Sequence, residues 1–171
     1  MRESELDQAF AEALGESPAF QAWMLSGGRF SRHAATARLL HHEQASSRKA
    51  KHWWKHWWCT LPDGSQSETD IFLVFESQNE GRFSLHIENK MQKGILTLSQ
   101  SIKYRQRAAF KANDSRWLGY NDFEVILIAP NDFLQMHKEC LCQFDRGISY
   151  EEISAFVPLF GAISRSQNSN A

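Results

Sequence analysis

Apolar and polar positions recur with several periods along this chain, and each period predicts its own element. Leu6, Phe10, Ala13 and Leu14 follow helical spacing behind a Ser4…Asp7 start signature, which predicts a first helix over about residues 5 to 14. Gly15 ends it. Ser17-Pro18, an N-cap followed by a first-turn proline, opens a second helix carrying Phe20, Trp23 and Met24, which Gly27-Gly28 breaks. Residues 32 to 50, rich in Ala, Leu, Arg and His without proline or glycine, suit another helix.

The block His52-Trp53-Trp54-Lys55-His56-Trp57-Trp58 fits a helix or a strand equally well by its period alone, so its surroundings decide. Leu61-Pro62-Asp63-Gly64-Ser65 is turn chemistry and Thr69 to Phe75 is an apolar β-type run, which together predict a hairpin with tryptophans on its first strand from about Trp54. Arg82 to Glu88 alternates polar and apolar residues over a strand's length. Leu96 to Ala112 holds good helix formers, with Leu98, Ile102 and Ala109 for a buried face, and Phe123 to Ala129 before Pro130 is a buried strand. The order is α, β, β, β, α, β, a mixed α/β (α+β) arrangement. A helical segment near Glu151 to Leu159 packs on the sheet, and Ser164 to Ala171 is expected to be disordered.

The 171 residues suit one domain, spanning 1–163 before that tail. The net charge of -1 excludes nothing by itself, but the charges are unevenly placed. From Arg29 to Trp58 the basic residues Arg29, Arg32, Arg38, Arg48, Lys49, Lys51 and Lys55 are joined by five histidines, with Glu43 the only acid. Asn89 to Asn113 carries Lys90, Lys93, Lys103, Arg105, Arg107 and Lys111 and no acid at all. One such block is ordinarily a solvated face; two blocks flanking an acidic cluster point towards phosphate binding. The polar opening Met1-Arg2-Glu3-Ser4-Glu5 has no signal-peptide core and no stretch approaches membrane-spanning length, so a cytoplasmic protein without a membrane partner is expected. Three cysteines make no disulfide framework, and Cys140-Leu141-Cys142 lacks the second pair of a zinc site, so all three read as reduced thiols.

Residues two apart on a strand face the same way, so Glu88 and Lys90 project together at a strand's end. Asp70 begins the preceding strand and comes beside Glu88 if the two strands form an antiparallel hairpin. Two carboxylates that leave room for water and phosphate suit Mg²⁺ or Mn²⁺ in phosphodiester cleavage, where the metal acidifies a bound water. Lys90 would then orient the nucleophile or stabilise transition-state charge, whereas a role as base requires a depressed pKa.

Asp70, seventeen intervening residues and Glu88-Asn89-Lys90 at the end of an apolar strand resemble the PD-(D/E)xK nuclease superfamily, in the subgroup with a Glu-Asn-Lys motif. Gln100-Ser101-Ile102-Lys103-Tyr104 matches the Gln-x-x-x-Tyr element that some members carry on the next helix. The resemblance covers about residues 1 to 130 and implies a restriction-endonuclease-like α-β-β-β-α-β core, a mixed central sheet flanked by helices. It implies a Mg²⁺- or Mn²⁺-dependent nuclease acting on DNA, or on RNA, with Asp70, Glu88 and the backbone carbonyl of Asn89 on the metal and Lys90 catalytic. Gln100 and Tyr104 would support the site or contact nucleic acid, as would Lys93, Lys103 and Arg107. Many members add a glutamate from the first helix, here Glu5, with Glu12 one heptad on as its substitute. The family's proline is missing before Asp70, and Glu68, two residues back on the same strand face, competes with Asp70 as ligand.

Blander readings remain beside these. Glu88 with Lys90, or Asp70 with Lys90, is also what an edge salt bridge looks like. The tryptophan block reads more readily as packing than as base stacking, and His52 with His56 would bind metal only from a helix. Two rival functions follow: a catalytically inactive nucleic-acid-binding module that keeps the nuclease fold, and a small metal-binding protein using the histidines. A homodimer would let two sites address two strands, but the sequence locates no interface.

Overall fold

The computed structural model describes residues 2–48 and 52–168. Lys49 and Lys51 of the first basic stretch, and residues 169–171 of the expected tail, lie outside them.

Helix α1 runs Glu3–Glu16, starting two residues earlier than its spacing predicts. Its N-cap is Arg2 and not Ser4: the Arg2 N–H donates to the Glu5 carboxylate at 2.9 Å. Helix α2 (Pro18–Ser26) begins as predicted, with the Ser17 hydroxyl accepting from the Phe20 N–H at 3.2 Å and Pro18 in the first turn. The long helix expected over residues 32 to 50 does not form. That stretch divides into a 3₁₀ turn Ser31–His33, the two-residue strand β1 (Arg38–Leu39) and the short helix α3 (His41–Arg48). Leu39 and Leu40 are buried against the sheet and the Gln44 side chain bonds to backbone at both Phe72 and Val74, so tertiary contacts override helix propensity there.

Strands β2 (Trp57–Thr60) and β3 (Gln66–Thr69) form the predicted hairpin around the Leu61–Ser65 turn, although β2 starts at Trp57 and not near Trp54. The apolar run then divides at Asp70: β3 belongs to the hairpin and β4 (Ile71–Ser77) to the main sheet. After it come β5 (Gly81–Asn89), helix α4 (Leu98–Lys111), β6 (Asp122–Ala129), helices α5 (Asn131–Met136) and α6 (Lys138–Leu141), β7 (Arg146–Ser149), and helices α7 (Tyr150–Ile153) and α8 (Pro158–Asn168). Helix α8 continues through Ser164–Asn168, where a disordered tail was expected.

The result is a mixed α+β fold whose five-stranded sheet has the order β1-β4-β5-β6-β7. β5 pairs antiparallel to β4 and parallel to β6, the latter through the α4 crossover. Residues alternate across the sheet. Ile71, Leu73, Phe83, Leu85, Ile87, Ile126 and Ile128 pack against α1, α2 and α8 on one face. Val125, Leu127 and Ala129 meet Tyr104 and Ala108 of α4 on the other, where Phe72 and Val74 meet Trp57 of the hairpin. All three cysteines are free thiols, as expected. Among the described residues no helix is long and apolar enough to cross a membrane.

Helix α4 departs from its periodicity in one respect that matters below. Leu98 and Ile102 are 49% and 38% exposed and Ala109 faces solvent, while Ser101, Tyr104, Arg107, Ala108 and Lys111 point inward. The buried side of this helix is largely polar because it borders a charged site.

Candidate active site

Asp70 stands where the chain leaves the hairpin for the main sheet. β4 begins to pair only at Ile71, opposite Ile87, so Asn89 has no backbone acceptor from β4. The Asp70 carboxylate takes that place, accepting from the Asn89 N–H at 3.0 Å. In extended backbone the C=O leaves on the same side as the N–H, so the Asn89 carbonyl faces Asp70. The expected convergence of Asp70, Glu88 and Lys90 therefore occurs, through an antiparallel β4–β5 hairpin.

Glu88 and Asn89 point to opposite faces of the sheet and do different work. Glu88, 5% exposed, faces α4: its Oε1 accepts from the Tyr104 hydroxyl at 2.7 Å and pairs with Lys90 Nζ, also at 2.7 Å. Asn89, 1% exposed, faces α1 and α7: its Nδ2 donates to Asp7 Oδ1 at 2.7 Å and its Oδ1 accepts from the Tyr150 hydroxyl at 2.8 Å. The motif asparagine is thus a clamp between the first helix and the helix after the last strand. At Gly94 a Cβ would meet the Met91 carbonyl at 2.9 Å, so only glycine lets this loop fold back over the Lys90 stem and Glu3.

Charge is unbalanced here. Burial, reinforced by the Asp70 charge, pushes Glu88 up to about 8 despite the opposing pull of Lys90 and Tyr104. Burial likewise raises Asp70, against the Asn89 N–H and Lys90. Asp7 is pushed up to about 7, by burial and then by Asp70. For Lys90, burial is outweighed by Glu88, Asp70 and Glu3, and its pKa is raised. Lys90 is therefore an ammonium in this arrangement, suited to holding charge and not to acting as a base.

The other predicted site residues separate clearly. Tyr104 is in the site. Gln100 closes the start of α4, its Oε1 accepting from the Thr97 N–H at 3.1 Å, while also lining the cleft outside Asp70 and Glu88. Lys103 lines that cleft with Gln66 and Glu68, and Lys93 is exposed beside the Lys90 loop. Arg107, expected at a nucleic-acid surface, is 1% exposed: it donates to the Ser67 hydroxyl at 2.7 Å and to the Glu68 carbonyl, fastening the hairpin to α4. Glu68 turns to solvent and pairs with His56 Nδ1 at 3.4 Å, leaving Asp70 as the inward carboxylate.

Glu5 and Glu12 do not face the carboxylate pair. Glu5 is used in capping Arg2, and Glu12 accepts from Gln8 on the exposed side of α1. The first-helix acids on the sheet side are Asp7 and Glu3, whose Oε1 accepts from the Met91 N–H at 3.1 Å. Asp7 carried a signal in the sequence: it falls three and seven residues before Phe10 and Leu14, an acid inside the apolar stripe. Tyr150 carried none beyond its place after the Ser149 cap.

His52 and His56 do not share a helix face. His52 stacks edge-on with Trp54, and His56 has a left-handed φ of 64°. Among the described residues no group of three or more His, Cys, Asp or Glu side chains is gathered to hold a metal ion. A closed zinc-type site is not what these residues build. Two carboxylates whose raised pKa values a cation would relieve, together with one carbonyl, are hard oxygen donors and fit Mg²⁺ or Mn²⁺ with water and substrate completing the shell.

No protein-family model matches the chain, and no curated protein or solved structure does either.

Proposed function

We propose that the chain is a Mg²⁺- or Mn²⁺-dependent nuclease of the PD-(D/E)xK type, with a restriction-endonuclease-like core, hydrolysing phosphodiester bonds in DNA or RNA. The observation that carries this reading is the meeting of Asp70 and Glu88 beside the charged Lys90, at the end of β5 and open to a cleft. The cleft, of about 210 Å³, is smaller than pockets that enclose a small molecule, and suits a phosphate of a passing strand.

Asp70, Glu88 and the Asn89 carbonyl would hold the ion, which when bound supplies an acidified water and neutralises phosphate charge. Tyr104 keeps Glu88 Oε1 in place. Asn89, clamped by Asp7 and Tyr150, fixes the strand end that presents both carboxylate and carbonyl. Lys90, a full ammonium, lies where it would stabilise charge on the phosphate in the transition state.

The test is incubation of the purified protein with plasmid and single-stranded substrates in Mg²⁺, Mn²⁺ or EDTA. Cleavage that needs the divalent ion and is lost in Lys90→Ala and Asp70→Ala supports the reading. Cleavage retained in pure Lys90→Ala overturns it. The rival reading, a binding module without turnover, draws on the Lys90 ammonium already resting on the carboxylate an ion needs; it predicts salt-sensitive binding and no cleavage under any condition.

A further inference from the structure

We propose that the outward face of the β2–β3 hairpin is a base-stacking subsite for single-stranded nucleic acid, with the Trp58 indole as its platform. This deepens the nuclease reading and rests on it for the position of the phosphate.

Among the six tryptophans, Trp54, Trp57 and Trp117 are 3%, 0% and 2% exposed and Trp23 and Trp53 are partly covered, whereas Trp58 is 52% exposed. Packing therefore accounts for its neighbours and leaves Trp58 without a core role. Hairpin alternation puts Trp58, Thr60, Gln66 and Glu68 on the outward face, with Trp58 directly across from Glu68. Gln66 and Glu68 also line the cleft that holds Asp70 and Glu88, so the platform is continuous with the site. Cross-strand neighbours lie about 5 Å apart and residues two apart on a strand about 7 Å. Trp58 thus adjoins Glu68, itself a wall of the cleft that holds Asp70, so a strand of a few nucleotides passes from platform to cleft.

The local backbone holds the indole outward. His56, at φ 64°, turns the chain into β2 so that Trp57 goes in and Trp58 out. The Arg48 guanidinium donates to the His56 carbonyl and lies 4.6 Å from the Trp57 ring, bracing this turn. The charges suit a polyanion. Lys55 precedes the platform and Lys103 lines the cleft; neither forms an ion pair among the described residues, while His56 covers Glu68. A base must have a free face to stack on an indole, which a single strand offers and a duplex does not.

The experiment measures anisotropy of a fluorescein-labelled twelve-nucleotide oligothymidine, an abasic strand of equal length and a twelve-base-pair duplex, all in EDTA. Trp58→Ala is expected to weaken oligothymidine binding about 5- to 150-fold, as loss of one stacked base predicts, and Trp58→Phe to recover most of it. The abasic strand and the duplex are expected to bind wild type and Trp58→Ala alike. Equal oligothymidine affinity in Trp58→Ala, or the same loss on the abasic strand, overturns the subsite. Trp58-dependent binding with no cleavage in Mg²⁺ or Mn²⁺ would leave the subsite standing and sink the nuclease reading. Cleavage unaffected by Trp58→Ala with unaltered binding would do the reverse.

Discussion

The two ends of the central sheet use similar charged side chains in opposite ways. At the β4–β5 turn, Arg38 and Arg82 share Glu76 and Glu43, Arg29 meets Asp122 at 3.0 Å, and Arg32 and His33 share Glu80. Hydrogen bonds from Arg38 and then Arg82 hold the Glu76 carboxyl below its usual range. At the Asn89 end, Asp7, Asp70 and Glu88 are all shifted upward, and Lys90 is their only ion-pair partner among the described residues. One end is a fastener in which each charge is met. The other keeps an excess of buried acid with one cation beside it, the imbalance that the proposed divalent ion would offset.

The sharpest way to break this contrast is catalytic. Lys90→Ala and Asp70→Ala should each lower divalent-dependent cleavage by about 10²- to 10³-fold or more, while Arg82→Ala at the paired end stays within about twofold of wild type in the same gel assay. Equal effects at both ends would remove the distinction.

The second way is pH. The folded protein keeps protons on Glu88 to about 8 and on Asp7 to about 7, above their ordinary values of 4.5 and 3.8. Unfolding therefore releases protons between those limits, and metal-free stability should fall as pH rises from about 5 to 8. Thermal melts should show that decline, Glu88→Gln should flatten it, and millimolar Mg²⁺ should restore the lost Tm at pH 8. A Tm that climbs over this window would contradict the charge excess.

Smaller effects follow from single contacts. Asn89→Ala leaves the buried Asp7 carboxylate and the Tyr150 hydroxyl without their partner and should cost about 2–3 kcal/mol in urea unfolding. Arg82→Ala should cost about 1 kcal/mol or less, shrinking further in high salt. A loss at Arg82 as large as that at Asn89 would mean that the paired end carries more of the fold than its exposure suggests.

What the sequence made legible follows from short-range rules. Ser17-Pro18, the Pro62-Asp63-Gly64 turn and the alternation through Arg82 to Glu88 each carry local chemistry sufficient to predict an element. Asp70 with Glu88 and Lys90 was legible because strand pairing follows directly from a hairpin. The misplaced parts depended on what the residues meet across the fold. Arg107 reads as a surface cation until Ser67 and the Glu68 carbonyl, some forty residues away, surround it. Leu98 and Ile102 read as core because apolar residues usually are, yet the side of α4 facing the sheet belongs to Tyr104 and Arg107. The first basic stretch reads as a phosphate surface, but Arg29, Arg32 and Arg38 are consumed by acids from β4, β6 and the β4–β5 turn. Glu5, with Glu12 as its substitute, rests on the family resemblance alone, whereas the side of α1 turned to the sheet carries Asp7 and Glu3.

The two bonds of the Asn89 side chain span 82 and 61 positions along the chain. Contacts of such long sequence separation close late, after local helices and hairpins have formed, because their loop entropy must be overcome first. The β4–β5 hairpin sets Asp70 beside Glu88 locally, whereas the Asn89 clamp on that strand end closes only where the first helix and the segment after the last strand have both docked. A chain lacking either docked segment would therefore keep the hairpin and lose the clamp that fixes its end.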